Sequence, residues 1–169
     1  MGEAGILRDD ERVELIEGEI VQMNPIGSRH AACVRVLTRL VGRSLSDELL
    51  LDVQNPVRLD GVLEPQPDLA VIRAHDYRES LPGPEDVTLV VEVSDTTLGY
   101  DRNVKLPLYA RAGIREAWIV DLPNEAVERH NEPSEDGYLR MERVGKGRSL
   151  TSEVLPSLTL QTDAVLGEG

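Results

Sequence analysis

The fold of this chain is decided by the stretch LVVEVS at residues 89–94. Four of its six residues are aliphatic and they do not alternate with polar residues, which is typical of a strand that is buried on both faces. Glu92 lies in the middle of this run. Burying a lone carboxylate is costly unless it is paired, protonated or bound to a metal. The stretch therefore predicts a central strand and marks Glu92 as the first candidate for a functional site.

The segments that follow predict a parallel crossover. Residues 95–114 contain a loop, a short helix and a candidate C-cap at Gly113, and the sequence REAWIVDL at 115–122 predicts a second apolar strand. A strand, a helix and a strand in this order form a right-handed parallel unit. Pro107 fits easily only if the helix begins shortly before it, whereas a start near Asp101 implies a kink.

The rest of the chain predicts a long helix and antiparallel strands. Residues 11–25 predict a hairpin, residues 28–49 a helix with Ser28 as its N-cap, and residues 49–73 two strands joined by a turn. The C-terminal part predicts further antiparallel strands. We therefore expect one domain over residues 1–169, with an α/β fold in which helices flank a central mixed sheet.

Composition and charge narrow the function classes. The 169 residues carry a formal net charge of −13, whereas a nucleic-acid binder usually presents a basic surface. The acidic balance is consistent with a site that collects divalent cations or with solubility alone. No apolar run approaches the roughly 20 residues that span a bilayer, and the one cysteine, Cys33, leaves no disulfide framework. We expect a cytoplasmic protein without a membrane partner.

Four polar residues are predicted to lie at inward-facing positions or at strand ends. They are Glu14 in the hairpin, Asp68 at the start of an apolar strand, Glu92, and Lys105 on the helix after it. Carboxylates on neighbouring strands can share a Mg²⁺ ion, which prefers oxygen ligands and keeps several waters. A nearby lysine can hold a phosphate oxygen or help to orient an attacking water. The alternative is that Glu92 pairs with an arginine or lysine in a purely structural role, and spacing alone leaves both open.

The same stretches resemble the Uma2 family, also known as DUF820, of restriction endonuclease-like proteins. The most specific likeness lies in residues 89–121, and VELIEGEIVQM followed by His30 resembles the N-terminal part of the family. The likeness covers residues from about 12 to 132. The family is placed in the PD-(D/E)XK nuclease superfamily. The resemblance therefore implies the restriction endonuclease-like fold, in which an Asp and a Glu bind Mg²⁺ and a Lys assists the water that attacks a phosphodiester.

The resemblance also implies roles for individual residues. Asp68, in a Pro-Asp pair, and Glu92 would hold the metal, and Lys105 would position water and stabilise the developing charge. The superfamily places its lysine two residues after the Glu, where this chain has Ser94. This family resembles the chain in carrying its lysine on the next helix, from which a long and flexible stem reaches the same point. Glu14 matches an N-terminal acidic position, as a further ligand or as an orienter of metal-bound water.

Three more residues are candidates for supporting this site. Asp101 and Tyr109 lie four residues on either side of Lys105, so they share its face if the helix reaches that far. His30 either contacts a phosphate near the site or is simply a histidine at a helix start.

Other charged and aromatic residues favour ordinary structural roles. His75 and His130 lie in polar segments and are predicted at the surface, whereas Trp118 is predicted in the core. A basic stripe recurs at every fourth residue of the predicted long helix, at Arg35, Arg39 and Arg43. Such a stripe can follow a phosphate backbone, but it is more typical of a solvated helix face.

Together these features predict a Mg²⁺-dependent endonuclease that hydrolyses DNA phosphodiester bonds, with Mn²⁺ as a substitute ion. The resemblance implies a homodimer with an isologous interface. One alternative is a non-catalytic nucleic-acid-binding or assembly module of the same fold. Another is a metal-free hydrolase that uses the paired carboxylates as acid and base, although no sugar-stacking aromatic residue flanks Asp68 or Glu92.

Overall fold

The computed structural model describes residues 12–23 and 25–167. Its strands, in chain order, are β1 (Val13–Ile16), β2 (Glu19–Gln22), β3 (Leu49–Val53), β4 (Leu69–Arg73), β5 (Val87–Ser94), β6 (Glu116–Asp121), β7 (Ala126–Ser134), β8 (Gly137–Gly145), β9 (Ser149–Thr151) and β10 (Thr159–Gln161). Its helices are α1 (Ser28–Arg43), α2 (Leu98–Tyr100), a π-helix (Asp101–Lys105), α3 (Leu106–Arg111) and α4 (Thr162–Leu166).

Six of these strands form one mixed sheet in the order β3-β4-β5-β6-β7-β8. The pair β5–β6 is parallel, and the other four pairs are antiparallel. The helical segment from α2 to α3 connects the two parallel strands, so the predicted crossover is confirmed. The predicted mixed α/β fold is confirmed as well. Within the described ranges, no helix is long and apolar enough to cross a membrane.

β5 is buried on both faces, as its aliphatic run predicts. One face contributes Leu89, Val91 and Val93 to the core cluster beside α1. The other face contributes Val90 to a second cluster that includes residues of α3. Because successive side chains of a strand point to opposite faces, Glu92 shares the face of Val90. The carboxylate therefore lies on the side of the sheet that the crossover helix covers. Trp118 is fully buried, as predicted.

The hairpin predicted at residues 11–25 is confirmed as the antiparallel pair β1–β2 within the described residues. The long helix ends at Arg43 instead of residue 49. Ser44 ends it by donating its backbone N–H to Val41 and its hydroxyl to Leu40, and the chain then leaves to pair β3 with β4. The predicted N-cap is one residue off, since Ser28 is the first helical residue and Gly27 is the N-cap.

Pro107 is accommodated by a widened helical turn. The helical segment begins at Leu98, and the π-helix Asp101–Lys105 directly precedes the turn that contains the proline. Proline lacks the N–H that an α-helix requires, and π turns relieve such breaks, frequently at functional sites. The turn buries both Asp101 and Lys105. The predicted C-cap is one residue off, since Ala112 is the C-cap and Gly113, with a φ of +83°, follows it.

The C-terminal part is antiparallel, as predicted. β7 and β8 extend the main sheet, while β9 and β10 pair with each other. Helix α4 was not predicted, because its five residues are too few to show a helical period.

Candidate active site

The predicted site residues meet in one cavity at the C-terminal end of β5. The cavity has a volume of about 540 Å³ and lies between the β1–β2 hairpin, the start of α1 and the π-helix. The predicted residues that line it are Glu14, His30, Asp68, Glu92, Asp101 and Lys105. Tyr109 does not line the cavity but lies fully buried behind it, in contact with Glu92.

Lys105 is the centre of this arrangement. Its Nζ lies 2.6 Å from Oε1 of Glu14 and 2.7 Å from Oε1 of Glu92, and it donates to the carbonyl of Gln66 at 3.3 Å. Burial alone would lower the pKa of Lys105, but the two carboxylates outweigh it and hold that pKa above its ordinary value. Lys105 is therefore a fixed positive charge, and it explains why Glu92 tolerates its place in an apolar strand.

Glu92 itself is held in the form of a buried, strongly hydrogen-bonded carboxyl group. Tyr109 donates its hydroxyl to Oε1 of Glu92 at 2.6 Å, and the residue is 2% exposed. Burial raises the pKa of Glu92 well above its ordinary value, although Lys105 opposes this shift. Burial and the nearby Glu92 also raise the pKa of Tyr109, so the phenol remains a donor. A further positive charge at Glu92 would favour its ionised form.

Asp68 directly precedes β4, the strand next to β5, and lies opposite Glu92. Leu69 pairs with Val91, so continuing this register by one residue brings Asp68 level with Glu92. Its Oδ2 accepts the backbone N–H of Val93 at 2.8 Å.

The charge of Asp68 is supported by basic side chains. His30 Nε2 lies 3.1 Å from Oδ1 of Asp68, and Arg12 Nη2 lies 4.0 Å from the same oxygen. Burial would raise the pKa of Asp68, but the hydrogen bond and charge of His30 outweigh it, and the pKa lies below its ordinary value. The same hydrogen bond raises the pKa of His30. The structure thus brings His30 into the site, as a partner of an ionised Asp68.

Asp101 is held by two hydroxyl groups. Ser94 Oγ and Thr97 Oγ1 each donate to Oδ2 of Asp101 at 2.7 Å. Burial raises the pKa of Asp101. Ser94, two residues after Glu92, therefore fixes the first residue of the turn that presents Lys105.

Three residues of the site were missed by the sequence analysis. Gln66 contacts Glu14 and Lys105 through its backbone, which leaves no signal in the residue type. Tyr100 donates to Oε2 of Glu14 at 3.4 Å, and burial raises the pKa of Tyr100 to about 12. Arg12 approaches Asp68 from the residue before β1. Only the position of Tyr100 beside Asp101 could have indicated a role.

The donor set suits a hard divalent cation that keeps part of its water shell. Among the described residues, no three His, Cys, Asp or Glu side chains converge as metal ligands. Mg²⁺ is commonly bound through only one or two carboxylates, which Asp68 and Glu92 can supply. The side-chain atoms Arg12 Nη2, His30 Nδ1 and Gln66 Oε1 are buried without a hydrogen-bond partner within the described residues. Of these three residues only His30 lines the cavity, so the fit to a hydrated ion rests on the carboxylates of Asp68 and Glu92 together with this one unpaired ring nitrogen.

A second charged cluster lies behind the π-helix. Arg102 and Arg143 both bind Oε2 of the buried Glu128, and Arg143 also lies 3.1 Å from the buried Asp121. The surface prediction for His130 is wrong, because this side chain is buried with Nε2 2.9 Å from Oε1 of Glu128. The basic partners outweigh burial and lower the pKa of Glu128 to about 2. The cluster ties the turn that carries Lys105 to the strands β6, β7 and β8. His75 is exposed, as predicted.

The fold is shared with a solved structure. That structure is described as a "putative nuclease belonging to DUF820 from Anabaena variabilis ATCC 29413", and it aligns with a TM-score of 0.67 at 16% identity, covering 91% of this chain and 89% of that chain. At this identity the similarity shows the fold alone. A comparison with curated proteins gives no match.

A family model gives the wider relationship. The model of Uma2, described as "Putative restriction endonuclease", matches residues 4–163. The match includes every predicted site residue from Glu14 to Tyr109. Because it spans most of the sequence, the chain belongs to the Uma2 family.

Proposed function

We propose that this chain is a divalent-metal-dependent endonuclease that hydrolyses DNA phosphodiester bonds, with Mg²⁺ as its ion and Mn²⁺ as a substitute. One observation carries the proposal: Asp68 and Glu92 line one cavity from neighbouring strands, with the ammonium of Lys105 2.7 Å from Glu92. The description of the family and the name of the structural neighbour support a nuclease. The single domain over residues 1–169, the cytoplasmic location and the homodimer belong to the same proposal.

Asp68 and Glu92 would hold the ion. When bound, the ion supplies positive charge against the phosphate and makes an attacking water more acidic. The hydrogen bonds from Val93 and His30 keep Asp68 ionised and oriented, so this carboxylate is ready to bind a cation. Glu92 must lose its proton for the same purpose, because its pKa is raised.

Lys105 acts through its charge. Its raised pKa keeps the amine protonated, which excludes it as a general base near neutral pH and suits it to stabilise negative charge that develops on a phosphate. Glu14 positions this ammonium at 2.6 Å, and Asp101 fixes the start of the same turn through Ser94 and Thr97. His30 positions Asp68, and a contact between His30 and a phosphate stays a prediction.

The second candidate is a non-catalytic module of the same fold. Two observations favour it. The ion pairs of Lys105 with Glu14 and Glu92 compensate part of the buried negative charge without a metal. The net charge of −13 opposes long-range attraction to DNA.

The test is a calorimetric titration with Mg²⁺ and with Mn²⁺. It compares the wild type with Asp68→Asn and Glu92→Gln, and with Asp95→Asn as a matched control, since Asp95 is a carboxylate that lines the same cavity. We expect binding to the wild type and the control and its loss in both site variants, with folding verified by circular dichroism.

Cleavage of supercoiled plasmid DNA and of RNA, each with and without a chelator, then separates the alternatives. We expect chelator-sensitive cleavage of DNA. A folded wild type that binds metal but cuts neither nucleic acid would favour the non-catalytic module. Activity that persists in the chelator would favour a metal-free hydrolase.

A further inference from the structure

β8 is an outer strand of the main sheet, and its surface is unusually open. Among the described residues, no strand pairs with its outer edge. The five consecutive residues 139–143 are all exposed. Leu139 and Met141 are 71% and 52% exposed, although both are large and apolar. A long edge strand with exposed apolar side chains is a template for pairing with another strand, and natural proteins usually protect such edges.

The sequence of β8, GYLRMERVG, is self-complementary in charge. In an antiparallel pair, two facing residues are either both hydrogen-bonded to each other or both not. In a symmetric pair of identical strands, one residue must therefore face its own copy, and we name the two-fold axis by that residue. An axis through Met141 pairs all nine residues of Gly137–Gly145. It places Arg140 opposite Glu142 of the second copy, twice by symmetry. Opposite charges that face each other across a strand pair are stabilising.

The other registers either bring like charges opposite each other or pair fewer residues of the two strands. An axis through Arg140 makes two arginines face each other, and an axis through Glu142 does the same with two glutamates. Like charges directly opposite are destabilising. An axis through Leu139 or Arg143 leaves nearly half of each strand unpaired. Met141 is therefore the one axis position in this run that satisfies both the charges and the backbone.

We propose that β8 pairs with β8 of a second copy of this chain, antiparallel about an axis through Met141, to form one sheet across a homodimer. The contacts within one chain are compatible with this pairing. Arg140 binds Glu153 and lies 3.5 Å from Glu132, and Glu142 binds Arg129 at 2.7 Å. Arg129 is largely buried, but the side chains of Arg140 and Glu142 are about half exposed and can accept a further partner.

This interface leaves the candidate active site open. β8 is three strand positions from β5, which is about 14 Å in the plane of the sheet. The inference names the surface of the homodimer proposed above, but it does not depend on nuclease activity. A dimer that cuts no DNA keeps this inference and removes the proposed function, while a monomer that cuts DNA does the reverse.

Cysteine cross-linking tests the register in the full chain. Facing residues of an antiparallel pair have Cα atoms about 4.5–5.5 Å apart, which is within the range of a disulfide. Met141→Cys should therefore form a covalent dimer when diamide oxidises the two thiols. Leu139→Cys is the matched control, since in this register the two copies of position 139 lie about 13 Å apart. The native Cys33 does not interfere because it is buried, and burial raises its pKa to about 12.

Sedimentation equilibrium tests the same interface without a cross-link. We expect the wild type to be a dimer. The dissociation constant of the dimer should be at least about tenfold higher for Met141→Lys, because two ammonium groups then face each other. Leu50→Lys on the opposite edge strand is the control, since Leu50 is 43% exposed.

Arg140→Glu should weaken the dimer, and adding Glu142→Arg should restore it. A monomeric wild type, equal cross-linking at positions 139 and 141, or a dimer lost only in Leu50→Lys would overturn the proposal.

Discussion

The ammonium nitrogen of Lys105 lies 2.7 Å from Oε1 of Glu92. Along the chain, a loop and the first turns of a helix separate the two residues. The same nitrogen lies 2.6 Å from Oε1 of Glu14. Lys105 is 1% exposed, so the two carboxylates share one buried cation. The crossover after β5 is therefore tied to the strand before it and to the N-terminal hairpin by a single side chain.

Replacing this cation should destabilise the fold. Lys105→Met keeps the length of the side chain but leaves two buried carboxylates without a counter-charge, which costs about 3–5 kcal/mol. We expect the free energy of unfolding in urea to fall by that amount. The double variant Lys105→Met with Glu14→Gln should recover part of the loss, because it removes one uncompensated charge. A loss below about 1 kcal/mol for Lys105→Met would show that solvent reaches both carboxylates.

Tyr109→Phe should weaken both the fold and the metal site. The variant removes the 2.6 Å hydrogen bond to Glu92, and we expect a cost of about 1–3 kcal/mol in the free energy of unfolding. Since groups behind a metal ligand orient it, we also expect a loss of about 10-fold or more in Mg²⁺ affinity.

Tyr138→Phe is the matched control for this change. Tyr138 donates its hydroxyl to the carbonyl of Ile114 at 2.7 Å, away from the cavity. The control should lose stability but keep its Mg²⁺ affinity in calorimetry. Equal metal affinities for both variants and the wild type would contradict a role for Tyr109 at the site.

The central strand and the crossover could be predicted because their signals are local. The run LVVEVS is too apolar for an edge strand, and the strand after the helix has the same character. The restriction endonuclease-like mixed α/β fold followed from these segments together with the resemblance. The end of α1 could not be predicted, because residues 44–49 are compatible with a helix and only the pairing of β3 with β4 decides against it.

The site could be predicted only where the residue type carries the chemistry. Asp68, Glu92 and Lys105 are conspicuous as charges beside apolar strands, and the structure brings them together. Gln66 acts through its backbone, so its identity gives no signal. The surface prediction for His130 was wrong because its segment is polar in sequence. Its buried partner Glu128 is paired with arginines from distant elements.

Metal affinity should rise with pH. The pKa of Glu92 is raised well above its ordinary value, so at low pH a proton competes with the metal for this carboxylate. We expect about tenfold weaker Mg²⁺ binding for each pH unit below that pKa and a plateau above it. Calorimetry in buffers of different ionisation enthalpy should detect the released proton. A Mg²⁺ affinity that does not change with pH would count against Glu92 as a ligand.

Acid should unfold the chain partly through Glu128. The pKa of this carboxyl is lowered from 4.5 to about 2, so the unfolded chain binds its proton first as the pH falls. The stabilisation is present in full above pH 4.5 and is lost progressively towards pH 2, with a magnitude on the order of 3 kcal/mol. Glu128→Gln should be less stable than the wild type at pH 7 and should show a flatter dependence of the free energy of unfolding between pH 5 and 2, about the span of the shift. Glu142→Gln, an exposed carboxylate in the neighbouring strand, is the control and should retain the wild-type slope. Equal slopes for the wild type and Glu128→Gln would contradict the buried cluster as the source of acid sensitivity.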